Sequence, residues 1–220
     1  MLTAVLGTGL AGRTLASRLA GGGHEVVMGT RNIASSMARP EMASWLAGQP
    51  HVELAPFAEA TRAADMVVNV TSGAASLEVL GSAGPDALAG KVLIDAANPL
   101  HSRPDGPAVL DPVSSDSLAE QVQRAFPQAR VVKALNMMSC KIMIDPDRIP
   151  GQHTAFICGN DAAAKQAVTA LLISFGWPAN AVLDLGDITA ARGMEMLWPL
   201  WLRVAQTLGH SDFNFHITST

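Results

Sequence analysis

The chain of 220 residues contains no tyrosine. Any mechanism that relies on a tyrosine acid is excluded, the Tyr–Lys pair of short-chain dehydrogenases included. Cysteine is almost as scarce, with Cys140 and Cys158 alone and no C-x-x-C between them. Two separated thiols suit a reducing cytoplasm, and without H-E-x-x-H or a clustered Cys/His spacing no metal site is expected. Charged residues make up only 15%, and their formal net charge of −4 leaves no general basic surface for nucleic acid. No apolar run reaches the roughly 18 residues of a membrane span, so no membrane partner is expected either. Met1 leads directly into a strand pattern, and no targeting segment is read ahead of it.

Apolar residues are 49% of the chain, which suffices for a large buried core. Length allows one α/β domain with a small appendage. Leu2–Leu6 reads as a buried strand, Gly7–Gly12 as a glycine-rich turn and Leu10–Ala20 as a helix stopped by Gly21-Gly22-Gly23. His24–Gly29 is the second strand, which completes a βαβ unit. Beyond it the pattern predicts a helix over Ile33–Ala47 interrupted at Pro40, strands at Val52–Leu54, Met66–Val70, Val92–Ala96 and Arg130–Ala134, and helices at Phe57–Ala64, from Ala75, and at Ser117–Phe126. Six strands alternating with helices predict a doubly wound, mostly parallel sheet of the Rossmann type. Asn98–Pro112 and Asn136–Pro150 read as irregular. Strands at Thr154–Cys158 and Val182–Leu185 extend the sheet around a helix at Ala162–Phe175. We expect this nucleotide-binding domain to occupy residues 1–187. Residues 188–220 should carry a long helix from Thr189 to Leu208, kinked at Pro199, and an edge strand over Phe213–Ile217.

Gly7-Thr8-Gly9-Leu10-Ala11-Gly12 matches G-x-G-x-x-G, and its place between the first strand and first helix gives the match its weight. Gly7 permits the tight turn, Gly9 admits a pyrophosphate against the backbone, and Gly12 lets helix and strand pack closely. The free N–H groups at the helix start face the phosphates. A site for NAD usually ends the second strand on Asp or Glu, which binds the ribose 2′-hydroxyl. Here Gly29-Thr30-Arg31 stands instead: Arg31 offers a planar cation for a 2′-phosphate and Thr30 a hydroxyl. The expected cofactor is therefore NADP. Ligands of open α/β sheets lie beyond the strand carboxyl ends. That places Asn69-Val70-Thr71-Ser72 and Ala97-Asn98 beside the ribose and nicotinamide, and Asn136-Met137-Met138 beside the hydride acceptor. Turn capping by Asn69, Thr71 and Asn98 is the competing structural explanation.

An alcohol substrate needs a proton donor as well as a hydride. The six histidines lie at element ends or, for His101, in the loop after the fifth strand, and Lys133 sits inside a strand where structural pairing is expected. No residue is assigned a catalytic acid–base role. This points to an acceptor that is itself a hydride carrier, since two stacked rings exchange hydride directly given orientation and a dry crevice. Two other readings stay open: an NADP(H)-binding sensor without turnover, and an NADPH reductase of a small carbonyl or imine. The stripe Met194, Leu197, Leu200, Trp201 and Val204 suits either core or a two-fold contact.

The segments Ala4–Gly9, Gly29–Arg31, Val92–Asp95 with Asn98–Leu100, Val131–Asn136 and Leu185–Ile188, taken together, resemble the coenzyme F420-dependent NADP oxidoreductases over nearly the whole chain. The resemblance implies a soluble, often dimeric enzyme that passes hydride between NADPH and the deazaflavin coenzyme F420. By position it implies that Thr8, Thr30 and Arg31 hold the NADP phosphates. It puts Asn69–Ser72 and Asn98 near the nicotinamide, and Asn136–Met138 on the deazaflavin side. Other members of the family form the NADPH-binding part of membrane ferric reductases.

Overall fold

The structure, a computed structural model, describes residues 1–103, 106–112 and 114–219. Its elements run β1 (Leu2–Leu6), α1 (Leu10–Gly21), β2 (Glu25–Thr30), α2 (Ile33–Met37), α3 (Pro40–Ala47), β3 (Val52–Pro56), α4 (Phe57–Ala63), β4 (Met66–Asn69), α5 (Gly73–Ala83), α6 (Pro85–Leu88) and β5 (Val92–Asp95). A hairpin of β6 (Leu100–Arg103) and β7 (Gly106–Leu110) follows, then α7 (Leu118–Ala125), β8 (Arg130–Ala134), α8 (Cys140–Ile144), β9 (Ala155–Gly159), α9 (Ala162–Ser174), β10 (Val182–Asp184), α10 (Ala191–Met196) and α11 (Trp198–Leu208).

One eight-stranded sheet has the order β10-β9-β8-β5-β4-β1-β2-β3. Its six strands from β3 to β8 are parallel and reverse direction of winding between β1 and β4, the doubly wound arrangement the alternation predicts. β9 joins β8 antiparallel, Lys133 opposite Cys158, and β10 pairs parallel with β9. Alternate strand residues feed two cores. Val5, Met28, Val68, Ile94 and Val132 pack with α1 and α9, while Leu6, Val27, Val67, Leu93 and Val131 pack with α4, α5 and α7. Burial on both faces explains the nearly continuous apolar strands.

Four expectations need correction. The segment 98–112 contains the β6–β7 hairpin, with residues 104 and 105 outside the described set. Within 136–150 a short helix forms, because Ser139 Oγ accepts from the Lys141 N–H and caps α8. Residues 189–208 are not one helix: a 3₁₀ turn at Ile188–Ala190 leads into α10, and α11 restarts at Trp198 with Pro199 in its first turn, where its missing N–H costs nothing. Residues 213–217 form no strand. Phe215 O accepts one bond from Thr154 N, but Ile217 N turns to the Thr154 hydroxyl, which ends the ladder. Aromatic stacking of Trp201 on Phe213, centroids 5.6 Å apart, holds this tail instead.

Candidate functional site

Each of the three glycines in the first turn answers a steric demand. Gly7 has φ +125°, and a Cβ there would lie 2.7 Å from the Val70 carbonyl oxygen. A Cβ on Gly12 would lie 1.9 Å from Gly7 O, so α1 and the turn approach as only glycine allows. At Gly9 the same Cβ would meet nothing within 4 Å: the space above this residue is open, a cradle that a side chain would fill. No side chain caps α1, and its first turn holds no acidic residue. Its amide groups and positive dipole end are left to an anion, and this set of features fits a dinucleotide pyrophosphate.

Three cavities follow one another beyond the strand carboxyl ends. The first, about 290 Å³, is lined by Gly7, Thr8, Gly9, Thr30, Arg31, Phe57, Val70, Thr71 and Ser72, among others. Thr30 is buried, its hydroxyl 2.7 Å from that of Ser36, whereas Arg31 lies exposed on the rim. The second, about 190 Å³, is bounded by Ala11, Val70, Thr71, Ser72, Ala96, Ala97, Asn98 and Met143. The third, about 460 Å³, takes in Leu10, Ala11, Ala96, Asn98, Asn136, Met138, Cys140, Lys141, Met143, Trp198 and Trp201. Ala11, Ala96, Asn98 and Met143 border both the second and the third. A larger open bowl of about 600 Å³ beside Arg124 and Arg130 lies at the other end of the sheet, where Arg130 begins β8.

Two expected residues stand behind the crevice rather than in it. Asn69 is fully buried; its Oδ1 accepts from the Thr71 hydroxyl at 2.7 Å, and its Nδ2 donates to Asp95 Oδ1 at 2.8 Å. It shapes the loop that presents Thr71, which is the turn-capping role. Met137, 4% exposed, belongs to the core beside Leu6 and Val131. The turn after β8 explains this, because buried Leu135 takes φ +65°, a conformation costing roughly 1–3 kcal/mol in a non-glycine residue. That turn sends Met137 inward and Met138 to the cavity wall. Asn136 Nδ2 donates to Asn98 Oδ1 at 2.9 Å and to Met194 O at 3.1 Å, while Asn98 Nδ2 donates to Asn136 O at 2.7 Å. The pair buttons the loop after β5 to α10. His101, considered in the sequence, is exposed on β6 and borders none of the three cavities.

Beneath this pair lies an ionic cluster that was only half legible. Lys133 Nζ sits 2.9 Å from Asp95 Oδ2 and 2.8 Å from Glu195 Oε1, all three side chains at most 2% exposed, and also donates to Ala97 O. Glu195 accepts further bonds from the N–H groups of Leu118 and Ala119 at the start of α7. Burial pushes the Lys133 ammonium down, but the two carboxylates outweigh it and hold its pKa above the usual lysine value. Its structural pairing was expected; its partners, 38 and 62 residues distant, were not.

The comparisons with known proteins agree with this geometry. The family described as "NADP oxidoreductase coenzyme F420-dependent" matches residues 3–99. The F420-dependent NADP reductase of Methanothermobacter marburgensis is 34% identical over 211 residues, which cover 93% of this chain and 92% of that protein. The chain belongs to the coenzyme F420-dependent NADP oxidoreductases. A crystal structure from Arthrobacter sp. FB24 superposes on this oxidoreductase with TM-score 0.95, at 51% identity over 99% of both chains. Rat Metalloreductase STEAP3 is 31% identical over 201 residues, and this oxidoreductase spans only 37% of that relative's length. The Streptomyces aurantiacus imine reductase shares the fold at TM-score 0.63 and 22% identity, covering 94% of this chain and 64% of that one. No helix among the described residues is long and apolar enough to cross a membrane.

Proposed function

We propose that this enzyme moves hydride between NADP(H) and coenzyme F420, or an acceptor of similar planar shape. One observation carries the reading: the second and third cavities meet across a wall of small or flexible side chains, Ala11, Ala96, Asn98 and Met143, with no histidine or carboxylate among the described residues of either lining. NADPH, when bound, supplies the hydride from its nicotinamide ring. The chain's part is to seat the pyrophosphate on the Gly7–Gly12 turn and the adenosine phosphate near Thr8, Thr30 and Arg31. Thr71, Ala97 and Asn98 flank the nicotinamide, and Met138 and Met143 close the far wall against water. Such a site contributes alignment and desolvation rather than proton transfer. Lys141, exposed, is the one cation among the described residues that line the third cavity.

Residues 188–220 would then form the acceptor wall and a subunit contact. α11 contains no buried residue, and Leu200, like Met196 before it and Leu208 near its end, is exposed. A second copy packed on this face in a two-fold homodimer accounts for such a surface. The working compartment is the cytoplasm, consistent with two unpaired thiols.

Mixing the protein with NADPH and F420 and following deazaflavin absorbance tests the reaction. Turnover is the expected result. NADPH binding without turnover at any pH would favour a sensor, and turnover of small imines or carbonyls but not F420 would reassign the acceptor.

A further inference from the structure

We infer that Arg39 is a second phosphate-binding guanidinium of the nucleotide site and helps the enzyme select a 2′-phosphorylated adenosine; this rests on the NADP reading above. Arg39 precedes Pro40, which holds it extended at φ −86° and ψ 116° in the N-cap position of α3. From there its side-chain Nη2 donates to Thr8 Oγ1 at 2.7 Å, linking residues 31 positions apart. Thr8 lies between Gly7 and Gly9 and borders the first cavity together with Thr30 and Arg31. The opposite rim is tied to the same residue: Thr30 and Ser36 hydroxyls are 2.7 Å apart, and Arg39 N donates to Ser36 O at 3.3 Å. Thr8 and Thr30 line the end of the crevice where Arg31 stands, and Arg39 and Ser36 stand directly behind them, bonded to each other and to these two hydroxyls.

The chemistry of this ring points to a dianion. Among the described residues no carboxylate pairs with Arg31 or Arg39. One of the five N–H donors of Arg39 serves Thr8, so most of the fork remains for a ligand. Thr8 accepts from Arg39 and keeps its own O–H to donate. Two guanidinium groups beside the Thr8 hydroxyl, whose proton is still free to donate, match the charge and acceptor-only oxygens of a phosphate monoester. A ribose 2′-hydroxyl, neutral and able to donate, gains little from two cations.

A tether between α3 and the glycine turn is the competing explanation, and glutamine separates the two. Arg39→Gln retains an N–H for Thr8 but removes the charge, while Arg39→Ala removes both. Calorimetric titration of the full chain with NADP⁺, NAD⁺ and 2′,5′-ADP is the measurement, with thermal melts to verify folding. Both variants should bind NADP⁺ and 2′,5′-ADP roughly 10- to 100-fold more weakly, the loss expected for a hydrogen bond to a charged group. NAD⁺ affinity should change by less than about threefold, and Arg39→Lys should recover part of the loss. Equal losses for NADP⁺ and NAD⁺, or an Arg39→Gln variant that behaves as wild type, would overturn the role of Arg39. In the latter case an Arg31→Ala variant that still loses NADP⁺ selectively would leave the NADP reading standing. Wild-type protein that binds neither NADP⁺ nor 2′,5′-ADP would remove that reading and this inference together.

Discussion

Replacing Lys133 by methionine would leave Asp95 and Glu195 facing one another at a site where both side chains are at most 2% exposed. Methionine fits the volume, so the perturbation is electrostatic. Removing one partner from a buried ionic cluster typically costs about 3–5 kcal/mol, because a charge remains that neither water nor a counterion reaches. For a domain whose total stability is of order 5–15 kcal/mol this is a large share. At about 2–4 °C per kcal/mol for a chain of this size, the melting temperature should drop by roughly 6–20 °C. Urea unfolding should show the same loss as a lower midpoint with an unchanged slope. Adding Glu195→Gln should restore part of the loss, since it removes the charge repelled by Asp95 while the amide oxygen keeps one of the two N–H bonds from Leu118 and Ala119. The sign of the pH effect follows from the raised Lys133 pKa. In the wild type the cluster's contribution is complete below the unfolded lysine value near about 10.4 and fades as pH climbs through the higher folded value. The variant should lack that alkaline loss. A Lys133→Met protein within about 1 kcal/mol of wild type at neutral pH would refute the reasoning.

Gly12→Ala should abolish nucleotide binding and lower stability together, because its Cβ would fall 1.9 Å from a backbone oxygen; fluorescence titration with NADPH and a melt would test this. Glu120 is held below the ordinary carboxylate range, first by its bonds from Arg192 and against the opposing effect of burial. Its contribution should be complete above the unfolded value of about 4.3 and vanish as pH falls through the lower folded value, so Glu120→Gln should flatten part of the acid unfolding curve. Burial pushes the Cys158 thiol up to about 12, while Cys140 is half-buried at the third cavity. A thiol reagent at pH 8 should therefore label Cys140 in the native protein and both cysteines after unfolding, as counted by mass.

The features read directly from the sequence were local ones. The βαβ unit shows because apolar periodicity and the Gly7–Gly12 turn act within a few residues, and Arg31 is legible because strand β2 delivers it to a known end of the sheet. Where neighbours along the chain did not set the outcome, the reading failed. The 98–112 segment, rich in Pro, Gly and Asp, looked irregular and pairs as a hairpin. Residues 213–217 have an apolar alternation but too few backbone partners for a strand. Met137 and Met138 look alike in sequence, and the left-handed turn at Leu135 sends them opposite ways.

By itself the order of residues determined the doubly wound sheet, the dinucleotide turn and the absence of a tyrosine acid, since each depends on composition or short-range spacing. Only tertiary structure decided that Lys133 joins Asp95 to Glu195, that Arg39 returns to Thr8, that β9 runs against β8 and that α11 is left without a buried face. Those contacts bring together residues tens of positions apart, and their energy arises from burial and charge in three dimensions, for which no local periodicity exists.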